Sequence, residues 1–178
     1  MDSQRYNASM LTLQELVAAD IVEIAAAFAK LGWDKPASQY ERYLAEQEPG
    51  ERVTVVARWD GIFVGYLNVL WCSDYVPFLE AKIPEIADFN VLPDWRKRGI
   101  GTTLMDEAER VISERSLVAG IGVGMTADYG AAQRLYVKRG YIPDGRGLTY
   151  DGKTLEHGES TINDDGLVLY FTKVVASR

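Results

Sequence analysis

Apolar residues between Leu16 and Leu31 recur near a 3.6-residue period, at Leu16, Ile21, Ile24, Ala25, Phe28 and Leu31. That spacing predicts a helix, ended by Leu31-Gly32-Trp33. A second helix is expected over Pro36–Gln47, with Pro36 in its first turn and Pro49-Gly50 closing it. Val53–Arg58 and Ile62–Trp71 read as strands joined by a hairpin turn at Asp60-Gly61. Glu85–Leu92 alternates as a strand and breaks at Pro93-Asp94. That alternation sets Glu85, Ala87, Phe89 and Val91 on one face and Asp88 on the other. Gly101–Arg115 is amphipathic, with Leu104, Ala108, Val111 and Ile112 opposed to Asp106, Glu107, Glu109, Arg110 and Glu114. Leu117–Met125 is a glycine-bearing strand. Asp128 is expected to cap a helix over Tyr129–Arg139, with Gly140 just past its end. Tyr141 starts another strand, and Gly166–Val175 is the last. The order ααββ, βα, βα, ββ describes a mixed α/β sheet.

The chain has 178 residues, enough for one domain with a real core, and no repeat or low-complexity tract divides it. It is 47% hydrophobic and 25% charged, the balance of a folded protein. A net charge of −7 argues against binding nucleic acid through its phosphates. One cysteine, Cys72, and one histidine, His157, exclude a Cys/His zinc cluster and an internal disulfide. No metal is expected. Cys72 follows an apolar strand and reads as a small core residue. His157 sits in a polar loop and reads as solvated. No apolar run is long enough to span a membrane, and Met1–Gln14 lacks the pattern of a signal peptide. A cytoplasmic protein without membrane contact is expected. A homodimer is the candidate assembly.

One segment carries specific chemistry. Arg96-Lys97-Arg98-Gly99-Ile100-Gly101 joins a strand to a helix. Glycine lets backbone approach a ligand without a Cβ between them. The first N–H groups of a helix have no internal partner, and its dipole favours anions. Such a turn binds phosphate or pyrophosphate, and the flanking cations add to that. The alternative is a solvated basic turn before a surface helix.

These residues resemble the GNAT acetyltransferases. That family carries an Arg/Gln-x-x-Gly-x-Gly/Ala loop after its fourth strand, filled here by Arg96, Gly99 and Gly101. A second signature, Ala-x-x-Leu-Tyr followed by Gly-aromatic, is matched by Ala132, Leu135, Tyr136, Gly140 and Tyr141. The resemblance implies a mostly antiparallel central sheet of about seven strands flanked by helices, in the order β-α-α-β-β-β-α-β-α-β-β, as one domain over residues 1–178. It implies acetyl-CoA as co-substrate, with the pyrophosphate on Arg96, Lys97, Arg98, Gly99, Ile100, Gly101 and Thr102. The pantetheine arm would lie along the strand at Phe89 and Val91. The family often starts the later helix with Asn, and Tyr129 stands there instead, beside the same arm.

The resemblance further implies direct transfer of acetyl to a primary amine of a small molecule or peptide. In the family, the Tyr of the Leu-Tyr pair gives a proton to the departing thiolate, which is Tyr136 here; its other reading is a packing tyrosine. In several members a Glu eleven residues before the loop arginine is the base, which is Glu85 here. Its other reading is a strand-end carboxylate, with Asp88 as the fallback base. The first two helices and the loop before the last strand would shape the acceptor site.

Two rival readings come from other classes. One is a GNAT-fold module that binds acyl-CoA without turnover. The other is a P-loop nucleotide hydrolase, because Gly147–Thr154 fits G-x-x-x-x-G-K-[ST]. No helical period follows Lys153-Thr154, and Asp151-Gly152 reads as a hairpin turn.

Overall fold

The computed structural model describes residues 10–176. Residues 1–9, part of the Met1–Gln14 stretch that lacks a signal-peptide pattern, lie outside that range. Among the described residues no helix is long and apolar enough to cross a membrane. Eight strands and five α-helices follow in order: β1 Leu11–Glu15, α1 Ile21–Lys30, α2 Ala37–Gln47, β2 Arg52–Trp59, β3 Ile62–Leu70, α3 Val76–Ala81, β4 Glu85–Val91, α4 Ile100–Ser113, β5 Val118–Gly124, α5 Gly130–Lys138, β6 Ile142–Tyr150, β7 Lys153–Thr154 and β8 Leu167–Val174. The chain forms two compact units, Met1–Leu67 with Asp88–Asp106, and Asn68–Ala87 with Glu107–Arg178.

In the first unit the strands follow the order β1-β2-β3-β4. β1 pairs antiparallel with β2, from Leu11 opposite Trp59 to Glu15 opposite Val55. The predicted first helix starts later than its apolar period suggests. Buried Asp20 accepts the Val17 N–H at 3.0 Å and the Arg58 guanidinium at 2.6 Å. This holds Ala18–Asp20 as a 3-10 turn, so Leu16 enters the core from a connector. Asp60 and Gly61 have φ of 49° and 83°, the two positive values of a type I′ hairpin. The core joins Ile21, Ile24 and Phe28 of α1 to Tyr40 and Tyr43 of α2 and to Val56, Phe63 and Tyr66 of the strands.

In the second unit the order is β4-β5-β8-β6-β7. β4 runs parallel to β5, with Glu85 opposite Gly120. The β5–β8, β6–β8 and β6–β7 pairs are antiparallel. The count of about seven strands becomes eight through β7, two residues folded back on Tyr150 and Thr149. Asp151 and Gly152 turn that hairpin at φ of 47° and 79°. Lys153 and Thr154 therefore lie in a strand, without the helix N-terminus a P-loop needs. α3 has no counterpart in the pattern reading; six residues with Pro77 near the start are too few to show a period. Asp128 does not cap α5. It accepts the Thr126 hydroxyl at a 3-10 turn over Ala127–Tyr129, and α5 starts at Gly130. Cys72 is exposed rather than part of the core, because the chain leaves β3 at Leu70 and bends. Glu109 is not on a solvated face: its carboxylate takes Arg139 at 2.9 Å and Lys173 at 2.7 Å.

Candidate active site

β4 departs from regular alternation. Asp88 has φ of 45°, a left-handed value uncommon for a residue with a Cβ. The strand is kinked there, so faces beyond Asp88 cannot be counted by twos from Glu85. This removes the basis for placing Glu85, Ala87, Phe89 and Val91 on one face. The kink also needs space in β3. A Cβ at Gly65 would meet the Asn90 carbonyl oxygen at 2.5 Å, so glycine is required opposite the distorted segment.

The first unit brings the predicted cofactor residues Phe89, Val91 and Arg96–Thr102 into one stretch of backbone. Phe89 and Val91 are half-buried. After β4 a 3-10 turn, Pro93–Trp95, leads into the loop. The Arg96 Nε donates to the Val91 carbonyl at 3.1 Å, tying the loop to the strand end. Lys97 and Gly99 have φ of 61° and 82°. Such left-handed residues in a tight loop turn N–H groups toward a common point, which suits an anion. A Cβ at Gly99 would meet nothing within 4 Å, so open space borders the backbone there. Arg96, Lys97, Arg98 and Thr102 are exposed, and Arg98 lies over the Trp95 ring at 4.8 Å. Ile100 is buried and anchors the first turn of α4, and Thr103 caps back onto the Gly99 carbonyl. A pyrophosphate fits this donor set: cations, glycine-lined backbone and a helix N-terminus.

The second unit holds Glu85, Tyr129 and Tyr136. Glu85 accepts a hydrogen bond from the Ser73 hydroxyl, whose own oxygen accepts the Tyr75 N–H at 3.0 Å. Burial pushes the Glu85 carboxyl up. Ser73 opposes that, and the nearby Asp74 charge reinforces it, so the pKa lies above the usual carboxylate range. Tyr136 is 4% exposed, with its ring 6.1 Å from that of Tyr141. Burial, then the neighbouring Tyr129, raise its pKa above that of an ordinary phenol. Tyr129 covers the end of β5: a Cβ at Gly124 would lie 2.5 Å from its ring. Its hydroxyl donates to Asp165 at 3.0 Å. Tyr129 thus fills the space beside the end of β5 with its ring. His157 is exposed, as expected.

Sequence reading missed a cluster in the first unit. The Asp88 carboxylate accepts from Lys35 at 2.5 Å, Asn90 at 2.9 Å, Tyr43 at 2.9 Å, Gln39 at 3.1 Å and Tyr66. Burial alone would raise its pKa, but Lys35 and the hydroxyl donors outweigh burial and hold it below the usual range. The donors come from a loop, α2, β3 and β4, so no linear spacing marks them.

The sequence model of the acetyltransferase (GNAT) family matches residues 18–141. No curated protein matches the chain. Among solved structures, yncA from Salmonella typhimurium with its cofactor acetyl-CoA is 16% identical, covers 94% of this chain and 95% of its own, and has a TM-score of 0.68. The ribosomal-protein-alanine N-acetyltransferase from Brucella melitensis is 18% identical over 92% of this chain and 99% of its own, with a TM-score of 0.67. A spermidine N-acetyltransferase chimera from Vibrio cholerae and hSSAT is 14% identical over 93% of this chain and 95% of its own, also at 0.67. These likenesses are of fold. The family match covers most of the chain and includes both glycine-loop and Leu-Tyr signatures, and on it the chain belongs to the GNAT acetyltransferase family.

Proposed function

We propose that residues 1–178 act as one N-acetyltransferase that moves acetyl from acetyl-CoA directly to a primary amine, in the cytoplasm. The observation that carries this reading is the loop Arg96–Gly101. Its left-handed Lys97 and Gly99, open backbone and exposed cations form a pyrophosphate cradle in a chain of net charge −7. Thr102 extends the cradle into α4, and Phe89 and Val91 offer strand backbone to the pantetheine arm.

When bound, acetyl-CoA supplies a thioester whose carbonyl carbon is attacked by the amine nitrogen. A C–N bond forms and the C–S bond breaks. Glu85 takes a proton from the acceptor ammonium. Its raised pKa brings it nearer neutral pH, where a carboxylate is a better base. Backbone N–H groups near Val91 meet the oxyanion. Tyr136 gives its proton to the leaving sulfur and recovers one from the acylated nitrogen, which sheds its second proton as the amide forms. Its burial keeps the phenol protonated until a thiolate forms. Tyr129 packs beside the arm where an Asn would bond to it.

The test is thiol release from acetyl-CoA against a panel of small amines, polyamines and peptides, on wild type and Tyr136→Phe. The expected result is turnover with at least one amine and a kcat about 10- to 1,000-fold lower in Tyr136→Phe. Thermal stabilisation by acetyl-CoA with no thiol release from any amine would instead identify a binding module.

A further inference from the structure

The Lys35 ammonium is surrounded by a carboxylate, a phenol hydroxyl and two aromatic rings. Its Nζ lies 2.5 Å from Asp88 Oδ1 and 3.2 Å from the Tyr66 hydroxyl. It is also 5.7 Å from the centre of the Phe28 ring and 5.8 Å from that of Tyr66. A carboxylate with aromatic faces around one nitrogen is the chemistry that recognises ammonium.

The members of this cluster differ in how firmly they are held. Phe28 is on α1, Gln39 and Tyr43 on α2, Tyr66 on β3, and Asp88 and Asn90 on β4. Lys35 alone comes from the connector between α1 and α2, where Leu31, Gly32, Asp34 and Pro36 are exposed. Asp88 also has more donors than it needs. Oδ1 takes Lys35 and Asn90, while Oδ2 takes Gln39, Tyr43 and Tyr66. A carboxylate offers about four lone-pair directions, and five donors compete for them. Withdrawal of Lys35 leaves four neutral donors that still orient the anion and leave its charge unbalanced. The Lys35 and Asp88 side chains are 18% and 22% exposed, so the pair is covered only in part.

We propose that this cluster is a binding site for the alkylammonium group of an amine ligand, and that Lys35 is a tethered occupant which the ligand displaces. The identification of that ligand with the acetyl acceptor rests on the transferase reading above. The cage itself does not. A tethered competitor lowers apparent affinity by the fraction of time it fills the site. It also keeps the buried carboxylate paired when no amine is bound, and an unpaired buried charge is costly.

The test removes the tethered ammonium and supplies a free one, without acetyl-CoA. Lys35→Ala is titrated with n-propylammonium chloride and followed by thermal unfolding. Sodium chloride at equal ionic strength and 1-propanol are the controls. The expected result is a saturable rise in melting temperature with propylammonium alone, lost in Lys35→Ala/Asp88→Asn. The wild type should need about tenfold more amine for the same rise. Lys35→Met keeps the aliphatic stem and replaces Lys35→Ala if that variant does not fold. Parallel titrations with 1,4-diaminobutane and Nα-acetyl-lysine amide distinguish a free polyamine from a peptide-borne lysine. A folded variant that responds to propylammonium no more than to sodium chloride overturns the proposal and leaves Lys35–Asp88 as a structural ion pair. The same response in the double variant also overturns it. A saturable response in a protein that acetylates no amine would overturn the transferase reading while the cage stands. With a turned-over amine, Lys35→Met should lower KM about tenfold; a raised KM counts against displacement.

Discussion

Glu85 and Asp88 are carboxylates three residues apart on the same strand, and their surroundings differ in kind. Both are withdrawn from water, which alone would raise both pKa values. Asp88 has five donors, one of them a cation. Glu85 has the Ser73 hydroxyl among the described residues, with the Asp74 charge nearby. Burial therefore does not decide the direction of a shift; the number and charge of the donors do. Asp88 is locked as an anion. Glu85 is under-supplied and free to pick up a proton. A strand that carries both can separate recognition of charge from transfer of a proton, and substitutions at each carboxylate test that separation.

The largest effect is expected at Asp88. Its folded pKa lies below the unfolded value, so its contribution to stability is present above the unfolded Asp pKa of about 3.9 and fades as pH falls through the folded pKa. Asp88→Asn leaves the Lys35 ammonium without its carboxylate and should cost about 3 kcal/mol at pH 7, the lower end for breaking a largely buried pair. Urea unfolding should show this, with the gap from wild type closing in acid. A gap that persists unchanged at low pH would mean the loss comes from packing and not from charge.

Next is Glu85→Gln. A base works deprotonated, so activity should fall as pH drops through the Glu85 pKa, and that pKa stands above the usual carboxylate range. The wild-type acidic limb of kcat/KM should therefore sit above the ordinary Glu value of about 4.3. Glu85→Gln should flatten that limb and lower the plateau about 100-fold, or about 2.7 kcal/mol of barrier. The raised pKa also carries a stability sign: the charged form is disfavoured on folding above the unfolded pKa. Glu85→Gln should then lose no stability at pH 7, and calorimetry beside Asp88→Asn gives the comparison directly. A normal acidic limb in Glu85→Gln would leave Glu85 as a strand-end charge.

The fold was largely legible because its elements are set by local pattern. Apolar period placed α4, Pro36 and Pro49-Gly50 bounded α2, the Asp60-Gly61 turn placed β2 and β3, alternation placed β8, and family resemblance supplied the strand before α1. Legibility ended where tertiary contacts override period. Leu16 has the spacing of a helical residue, but Asp20 and Arg58 hold its segment in a turn. Cys72 follows an apolar run but lies beyond the strand's end. At the site, the glycine loop could be read because its chemistry resides in consecutive residues. The Asp88 cluster could not, because its donors lie between 2 and 53 positions away along the chain. The left-handed backbone at Asp88 has no signature either; Asp tolerates it somewhat better than most residues, which excludes nothing.

The smallest effect should come from donor removal, and it sharpens the contrast most. Ser73 is 2% exposed and bridges two groups, donating to Glu85 and accepting the Tyr75 N–H at 3.0 Å. Gln39 donates one of five hydrogen bonds to Asp88, at 3.1 Å. Each deletion, Ser73→Ala or Gln39→Leu, removes a neutral donor to a carboxylate and should cost about 1.5 kcal/mol of stability. Their consequences for titration should differ. Without Ser73 nothing among the described residues offsets burial and Asp74, so the Glu85 pKa must move further up. The acidic limb of kcat/KM should then shift to higher pH in Ser73→Ala, with its plateau near that of wild type. Gln39→Leu leaves Asp88 with Lys35 and three neutral donors, so its carboxyl stays ionised and the limb should stay in place. Parallel pH–rate profiles of the two variants decide the matter. A limb that moves in both would show that the two carboxylates titrate together, and one that moves in neither would show that Ser73 does not tune the base.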